Sequence, residues 1–244
     1  MSPSVDKISP VTIRDQLASR IREAILRGQV RPGQRLVERG LAQSTGTSQA
    51  SVREALQVLE QEGLVVKKTN TATFVTELSA DRLREILGLR LQLEPYAAWL
   101  ASKRIGDGDV ESLCALAESM GSHAKHAELY QCSREDFEFH RMVWTCSGNQ
   151  TLTRILTQIC TSYFAYTSIL PGLSDDELDE RFGSHETVEQ RWRSGLAERY
   201  ERHQQLVDAL LSRDRKKITK TFRRHMLEGW SWLSDGSPDD FEEE

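Results

Sequence analysis

No stretch of the 244-residue chain holds the about 18 consecutive apolar residues that a membrane-spanning helix needs, so no span is expected. The opening MSPSVDKISP has no apolar centre of the kind a secretory signal carries, which predicts a cytoplasmic protein. Cysteine is scarce: Cys114, Cys132, Cys146 and Cys160 form no C-x-x-C pair, fall within helical patterns, and are expected to be reduced core residues. Net positive charge is missing as well. A formal charge of −5 argues against a protein that coats nucleic acid indiscriminately. That charge is unevenly spread: residues 1–78 carry +3 and the remainder −8, which suits a mildly basic DNA-binding module joined to an acidic second domain. With 38% hydrophobic and 28% charged residues, the chain suits a helix-rich globule of one large or two ordinary domains.

The most informative stretch is Leu41–Leu64, LAQSTGTSQASVREALQVLEQEGL. Val52, Ala55, Leu56 and Leu59 recur at helical spacing and form one apolar stripe. Ser48 suits the N-cap, Gly63 the stop, and Thr45-Gly46-Thr47 the turn before it. Gln49, Ala50, Ser51 and Arg53 then project from the start of the second helix, as side chains do when a helix-turn-helix faces the DNA major groove. An ordinary helical hairpin is the competing reading. Around it, Val11–Arg27 reads as a helix, Val30–Gly33 as a turn, Leu36–Ser44 as the first hairpin helix, and 48–62 as the second. Leu64–Lys68 and Thr73–Thr76 are β-prone, with a turn at Thr69–Ala72. Together these predict a winged helix-turn-helix over residues 11–78, after a flexible arm at 1–10.

Beyond a joint at Glu77–Ala80, with Ser79 as a cap, nearly everything reads as helix: Asp81–Arg104, Asp107–Leu129, Ser133–Cys146, Gln150–Ile169, a weaker Asp175–Phe182, Glu186–Leu211 and Lys216–Trp232. The fold class is thus mainly α, a winged domain followed by an all-helical bundle of six or seven helices over 79–233, with an acidic, disordered tail at 234–244.

Asp136 and His140 lie one helical turn apart on one face. His203 and His225 fall on the last two helices, eleven residues either side of Asp214 near the turn between them, so an antiparallel hairpin brings them to one height. One carboxylate and three imidazoles suit a borderline divalent ion such as Zn²⁺, Ni²⁺ or Mn²⁺. A metal-free cluster of neutral histidines competes evenly on spacing alone. His123, His126 and His185 lack such partners and read as surface residues.

Two ordered motif sets resemble the GntR family of bacterial transcriptional regulators, in its FadR-type branch with an FCD ligand-sensing domain. The first is GQRLVERGLAQSTGTSQASVREALQVLEQEGLV, set against the family pattern G-x-x-L-x-E-x-x-L-A-x-x-x-G-V-S-R-x-P-V-R-E-A-L-x-x-L-E-x-E-G-L-V. The second is Asp136-Phe137-Glu138-Phe139-His140, then Ser147-Gly148-Asn149, then His203 in RHQQLVDAL and His225 beyond it. The resemblance implies a homodimer on a palindromic DNA operator, with Arg39, Ser48, Gln49, Ser51 and Arg53 at the DNA. It also implies a divalent metal on Asp136, His140, His203 and His225, beside a small organic acid effector. Arg90 could clamp that acid or pair with Glu94 at i+4, and Asn149 could line the pocket or cap a helix. The regulator reading, most simply a repressor, is set against a metal-dependent hydrolase built on the same Asp/His₃ site. Three departures stand out. Gln49 occupies a position usually held by Arg, the wing sequence Asn70-Thr71-Ala72-Thr73 lacks the usual Arg-Gly pair, and residues 172–200 look longer than usual.

Overall fold

The computed structural model describes residues 12–68, 72–126, 128–169 and 198–230. The chain divides between Thr76 and Glu77 into two units. In the first, helix α1 (Ile13–Leu26) begins where the Thr12 hydroxyl oxygen accepts the Asp15 N–H at 3.2 Å, and it buries Leu17, Ala18, Ile21 and Ile25. A two-residue strand β1 (Arg35–Leu36) precedes helices α2 (Glu38–Thr45) and α3 (Gln49–Gln61) and strands β2 (Val65–Lys68) and β3 (Ala72–Val75). The sheet is antiparallel in the order β1-β3-β2, with Leu36 opposite Thr73 and Val65 opposite Val75. Gly46 closes α2 in the left-handed region at φ 66°, which a side chain would resist. The anticipated stripe Val52, Ala55, Leu56 and Leu59 is buried, and α3 packs on α1 and α2. Arg22 clamps Glu62 through two hydrogen bonds of 2.9 and 2.6 Å, tying α1 to the end of α3.

One boundary differs from the sequence reading. Leu36 was expected to open the first hairpin helix, but it pairs with β3, and the helix starts at Glu38. A strand of two residues leaves no periodicity to read.

Among the described residues the second unit holds six helices: α4 (Ala80–Ala101), α5 (Asp107–Lys125), α6 (Leu129–Cys146), α7 (Gln150–Ile169), α8 (Arg199–Ser212) and α9 (Arg215–Trp230). Ser79 caps α4 by accepting the Arg82 N–H at 3.2 Å. The core is built on Leu87, Leu113, Met120, Phe139, Trp144, Leu156 and Phe222. Helix α4 packs on α6, α7 and α9, while α5 packs on α6 and α8. Helix α6 starts a turn earlier than the predicted Ser133, because Cys132 extends its buried stripe, and α5 stops short of the predicted Leu129 at a turn closed by Glu128 N–H on the His123 carbonyl at 2.9 Å. Cys132 and Cys160 are buried, Cys114 and Cys146 half-buried, and all four are free thiols.

Pro95 sits inside α4 and cannot donate to the Leu91 carbonyl one turn back. Arg223 of α9 supplies a substitute, its Nη1 lying 3.4 Å from that oxygen. No helix among the described residues is long and apolar enough to cross a membrane. The arm 1–10, the wing turn at 69–71, the 175–182 segment, residues 172–197 of the longer stretch and the 234–244 tail lie outside the described residues.

Candidate functional site

The four predicted ligands converge within the bundle. Asp136 and His140 come from α6, His203 from α8 and His225 from α9, and one ligand atom from each lies within 4.8 Å of every other. The helical hairpin does what equal spacing about Asp214 requires: the His203 and His225 rings stand 4.7 Å apart, nearly perpendicular. His203 Nε2 lies 3.0 Å from Asp136 Oδ1, and His140 Nε2 lies 3.6 Å from the same oxygen and 3.3 Å from His225 Nε2. His140 and His203 are buried, and Asp136 is only slightly exposed.

A second layer fixes His140. Its Nδ1 lies 2.7 Å from Glu94 Oε2, a carboxylate with no solvent exposure. Burial alone would raise the Glu94 carboxyl, but the charges and hydrogen bonds of Arg90 and His140 outweigh it and hold the group at about 2. An ionised carboxylate only accepts, so His140 donates from Nδ1 and turns its Nε2 toward the cluster. Trp144 Nε1 donates to the same Glu94 oxygen at 3.2 Å, and Arg90 Nε donates to the other. Burial, then the neighbouring His203 and His140, keep the His225 imidazole far below its ordinary range and therefore neutral. Its Nδ1 is buried without a hydrogen-bond partner among the described residues. Three imidazoles converging beside a carboxylate are a donor set that could hold a borderline divalent cation, with Glu94 as the carboxylate that orients a ligand from behind.

In the first unit, the start of α3 presents Ser48, Gln49 and Ala50 to solvent, while Ser51 is half-buried and Arg53 exposed. Ser48 is the cap: its Oγ accepts the Ser51 N–H at 3.0 Å and lies 2.9 Å from the Ser51 hydroxyl. Arg53 pairs with Glu38 of α2, Nε to Oε1 at 3.2 Å and Nη2 to Oε2 at 2.7 Å. Arg39 is exposed on α2. A polar helix tip on a small winged unit is a DNA-reading architecture.

The family models agree with both units. Residues 13–75 match the gntR family of bacterial regulatory proteins, and residues 85–228 match the FCD domain. The chain belongs to the GntR family, with an FCD domain. It is 29% identical over 159 residues to the HTH-type transcriptional regulator YdhC of Bacillus subtilis, an alignment covering 64% of this chain and 69% of that one. It is 28% identical over 151 residues to LutR of the same organism, covering 55% and 68%. Its fold is shared with E. coli McbR/YncC at a TM-score of 0.74 and 21% identity, over 92% of this chain and 98% of that one. A GntR structure from Rhodococcus sp. RHA1 follows at 0.65 and 18%, over 90% and 96%. This GntR protein is therefore a DNA-binding transcriptional regulator and not an enzyme, and the hydrolase reading finds no support among its relatives.

Two residues expected at the effector have structural partners in this GntR chain. Arg90 is buried, paired with Glu94 and stacked over Tyr163 and Phe164 at 4.5 and 4.8 Å from the ring centres. Asn149 caps α7, its Oδ1 accepting the Leu152 N–H at 3.1 Å. His123, expected on the surface, is half-buried and bridges α5 to α6, with Nδ1 2.8 Å from Glu135. His126 is exposed, and His185 lies outside the described residues. Sequence reasoning missed Glu94 as the partner of His140 and Trp144 as a second donor to Glu94. The available signal was a charged pair, Arg90 and Glu94, inside the α4 stripe that buries Leu83, Leu87, Leu91 and Ala98.

Proposed function

We propose that this chain is a FadR-type, metabolite-responsive repressor of the cytoplasm. It binds a palindromic operator as a homodimer and releases it when a small carboxylate binds in the bundle beside a divalent metal. The convergence of Asp136, His140, His203 and His225, with His140 held from behind by Glu94, is the observation that carries the reading. Those four residues would hold the ion, and three nitrogens with one oxygen suit Zn²⁺, Ni²⁺ or Mn²⁺. When bound, the ion supplies Lewis-acidic charge and room for an oxygen ligand.

Charge supports a carboxylate effector. Arg90 and Glu94 neutralise each other, an imidazole ligates a cation only in its neutral form, and Asp136 contributes one negative charge. A divalent ion on this set leaves a net positive site, which a single carboxylate balances. With Arg90 engaged by Glu94, its role is to fix that carboxylate behind His140, while Asn149 caps the start of α7.

The winged unit reads DNA through Arg39, Ser48, Gln49, Ser51 and Arg53. Gln49 favours adenine edges where an arginine would favour guanine. An exposed apolar stripe on α4, with Leu89 49% and Tyr96 42% exposed and Leu93 and Leu100 half-buried between and beyond them, supports self-association through the bundle. The test is gel-shift binding to the chain's own upstream DNA, with added Zn²⁺, Ni²⁺ or Mn²⁺ and a panel of small carboxylates. The expected result is release by one class of carboxylate in the wild type and none in His225→Ala. Release that persists in the metal-stripped protein overturns the metal-dependent part of the reading. Unchanged binding in Arg53→Ala overturns the assignment of α3.

A further inference from the structure

We propose that Glu38 is a positioning residue for DNA reading: it grips Arg53 side-on and so presents the outer edge of that guanidinium to the operator. The proposal rests on the reading of α3 as the DNA-contacting helix. Glu38 opens α2, and Arg53 lies on the second turn of α3. The Glu38 carboxylate accepts from Nε at 3.2 Å and from Nη2 at 2.7 Å.

A guanidinium has five N–H groups in one plane, and this side-on pairing occupies two of them. The other three, both on Nη1 and the second on Nη2, point away from Glu38. The Nη1/Nη2 edge is itself a fork, matched to O6 and N7 of guanine or to two phosphate oxygens. Exposure divides the pair the same way: the Glu38 side chain is 27% exposed and the Arg53 side chain 54%. A lone surface arginine samples many rotamers and must be ordered on binding, whereas Glu38 orders this one in advance.

The carboxylate has a second effect of opposite sign. It brings negative charge to the surface that meets phosphates, and so disfavours indiscriminate binding. Glu38 thus supports operator binding through geometry and opposes non-specific binding through charge. Its removal lowers one affinity while raising or preserving the other.

The experiment measures fluorescence anisotropy of full-length protein on an upstream operator duplex and on a scrambled duplex of equal length, at several salt concentrations. The variants are Glu38→Gln, Glu38→Asp, Arg53→Ala and the double Glu38→Gln/Arg53→Ala, each checked by thermal melting. Glu38→Gln is expected to lower the operator-to-scrambled affinity ratio about tenfold, within the range one bidentate base contact commands. Its scrambled-DNA affinity holds or rises and its melting temperature is unchanged. Glu38→Asp recovers part of the ratio, and Glu38→Gln has no further effect on that ratio once Arg53 is alanine, though the lost charge still raises affinity on both duplexes alike. A rise in operator affinity in Glu38→Gln equal to or larger than the rise on scrambled DNA overturns the proposal, because Glu38 then masks Arg53. A parallel fall on both duplexes with a lowered melting temperature overturns it too, since the role is then structural. Either result alongside a binding-defective Arg53→Ala leaves the α3 reading standing. An Arg53→Ala variant that binds normally removes that reading and this proposal with it.

Discussion

Replacing Glu94 with glutamine leaves its shape nearly unchanged and removes a charge on which three donors from two helices converge. Arg90, His140 and Trp144 all donate to this carboxylate, which has no solvent exposure. In the folded protein burial pushes the carboxyl up, Arg90 and then His140 push it down, and the balance holds it at about 2 against an ordinary 4.5. That difference corresponds to about 3 kcal/mol of stability at neutral pH. A separate argument gives a similar size: breaking one half of a buried ion pair costs about 3–5 kcal/mol, because Arg90 stays charged in a dry site. The assay is urea unfolding of metal-stripped wild type and Glu94→Gln across pH. Because the folded carboxyl lies below its unfolded value, its stabilisation is complete above 4.5 and disappears as pH falls toward 2. The gap between wild type and variant should therefore be flat from pH 8 to 5 and narrow only below that. His225, held neutral, destabilises both proteins below its ordinary 6.5 and cancels from the difference. A gap under about 0.5 kcal/mol at pH 7, the size of an ordinary surface change, refutes the argument that Glu94 is the keystone of the site. So does a gap that closes between pH 8 and 6. Chelator competition on the same variant should show metal affinity lowered about 10–100-fold, the cost of losing a carboxylate behind a ligating histidine.

Ser48→Ala removes the α3 cap and should cost about 1 kcal/mol in unfolding of the winged unit, whereas Ser48→Gly costs only a few tenths; equal losses in the two would discount the hydroxyl. Gln49→Arg should move selected operators from adenine toward guanine at one position of each half-site, worth about 1–3 kcal/mol, read by selection from random duplexes. Arg223→Met should cost about 1 kcal/mol by leaving the Leu91 carbonyl without its donor. That cost should shrink in a Pro95→Ala background, where the helix restores its own N–H, and equal costs in both backgrounds would mean the 3.4 Å contact contributes nothing.

The features legible in the sequence were those with a period or a spacing. The α3 stripe, the Ser48 cap and the Gly46 turn are local, and chain chemistry alone specifies them. The meeting of His203 and His225 was legible because a hairpin turns sequence distance into height. What escaped lay across helices. Glu94 reaches His140 over 46 residues of sequence, and Arg223 reaches Leu91 over 132, with no rule of spacing to announce either. The Glu38–Arg53 pair escaped for the same reason, at a separation of 15. Strand β1 escaped because two residues carry no alternation, and His123 because its partner Glu135 belongs to the next helix.

The hairpin of α8 and α9 also sets a rule for how this bundle can change. Its two imidazoles stand eleven residues either side of Asp214, and each is phased by an unbroken helix. One residue gained or lost inside either helix, between histidine and turn, swings that ring by about 100° and shifts it about 1.5 Å along the axis. Single substitutions on the outer faces leave this phase untouched. The span from 203 to 225 is therefore open to drift in composition and closed to drift in length, and single-residue insertion scanning within α8 and α9 should find a sharp loss of metal binding confined to that interval.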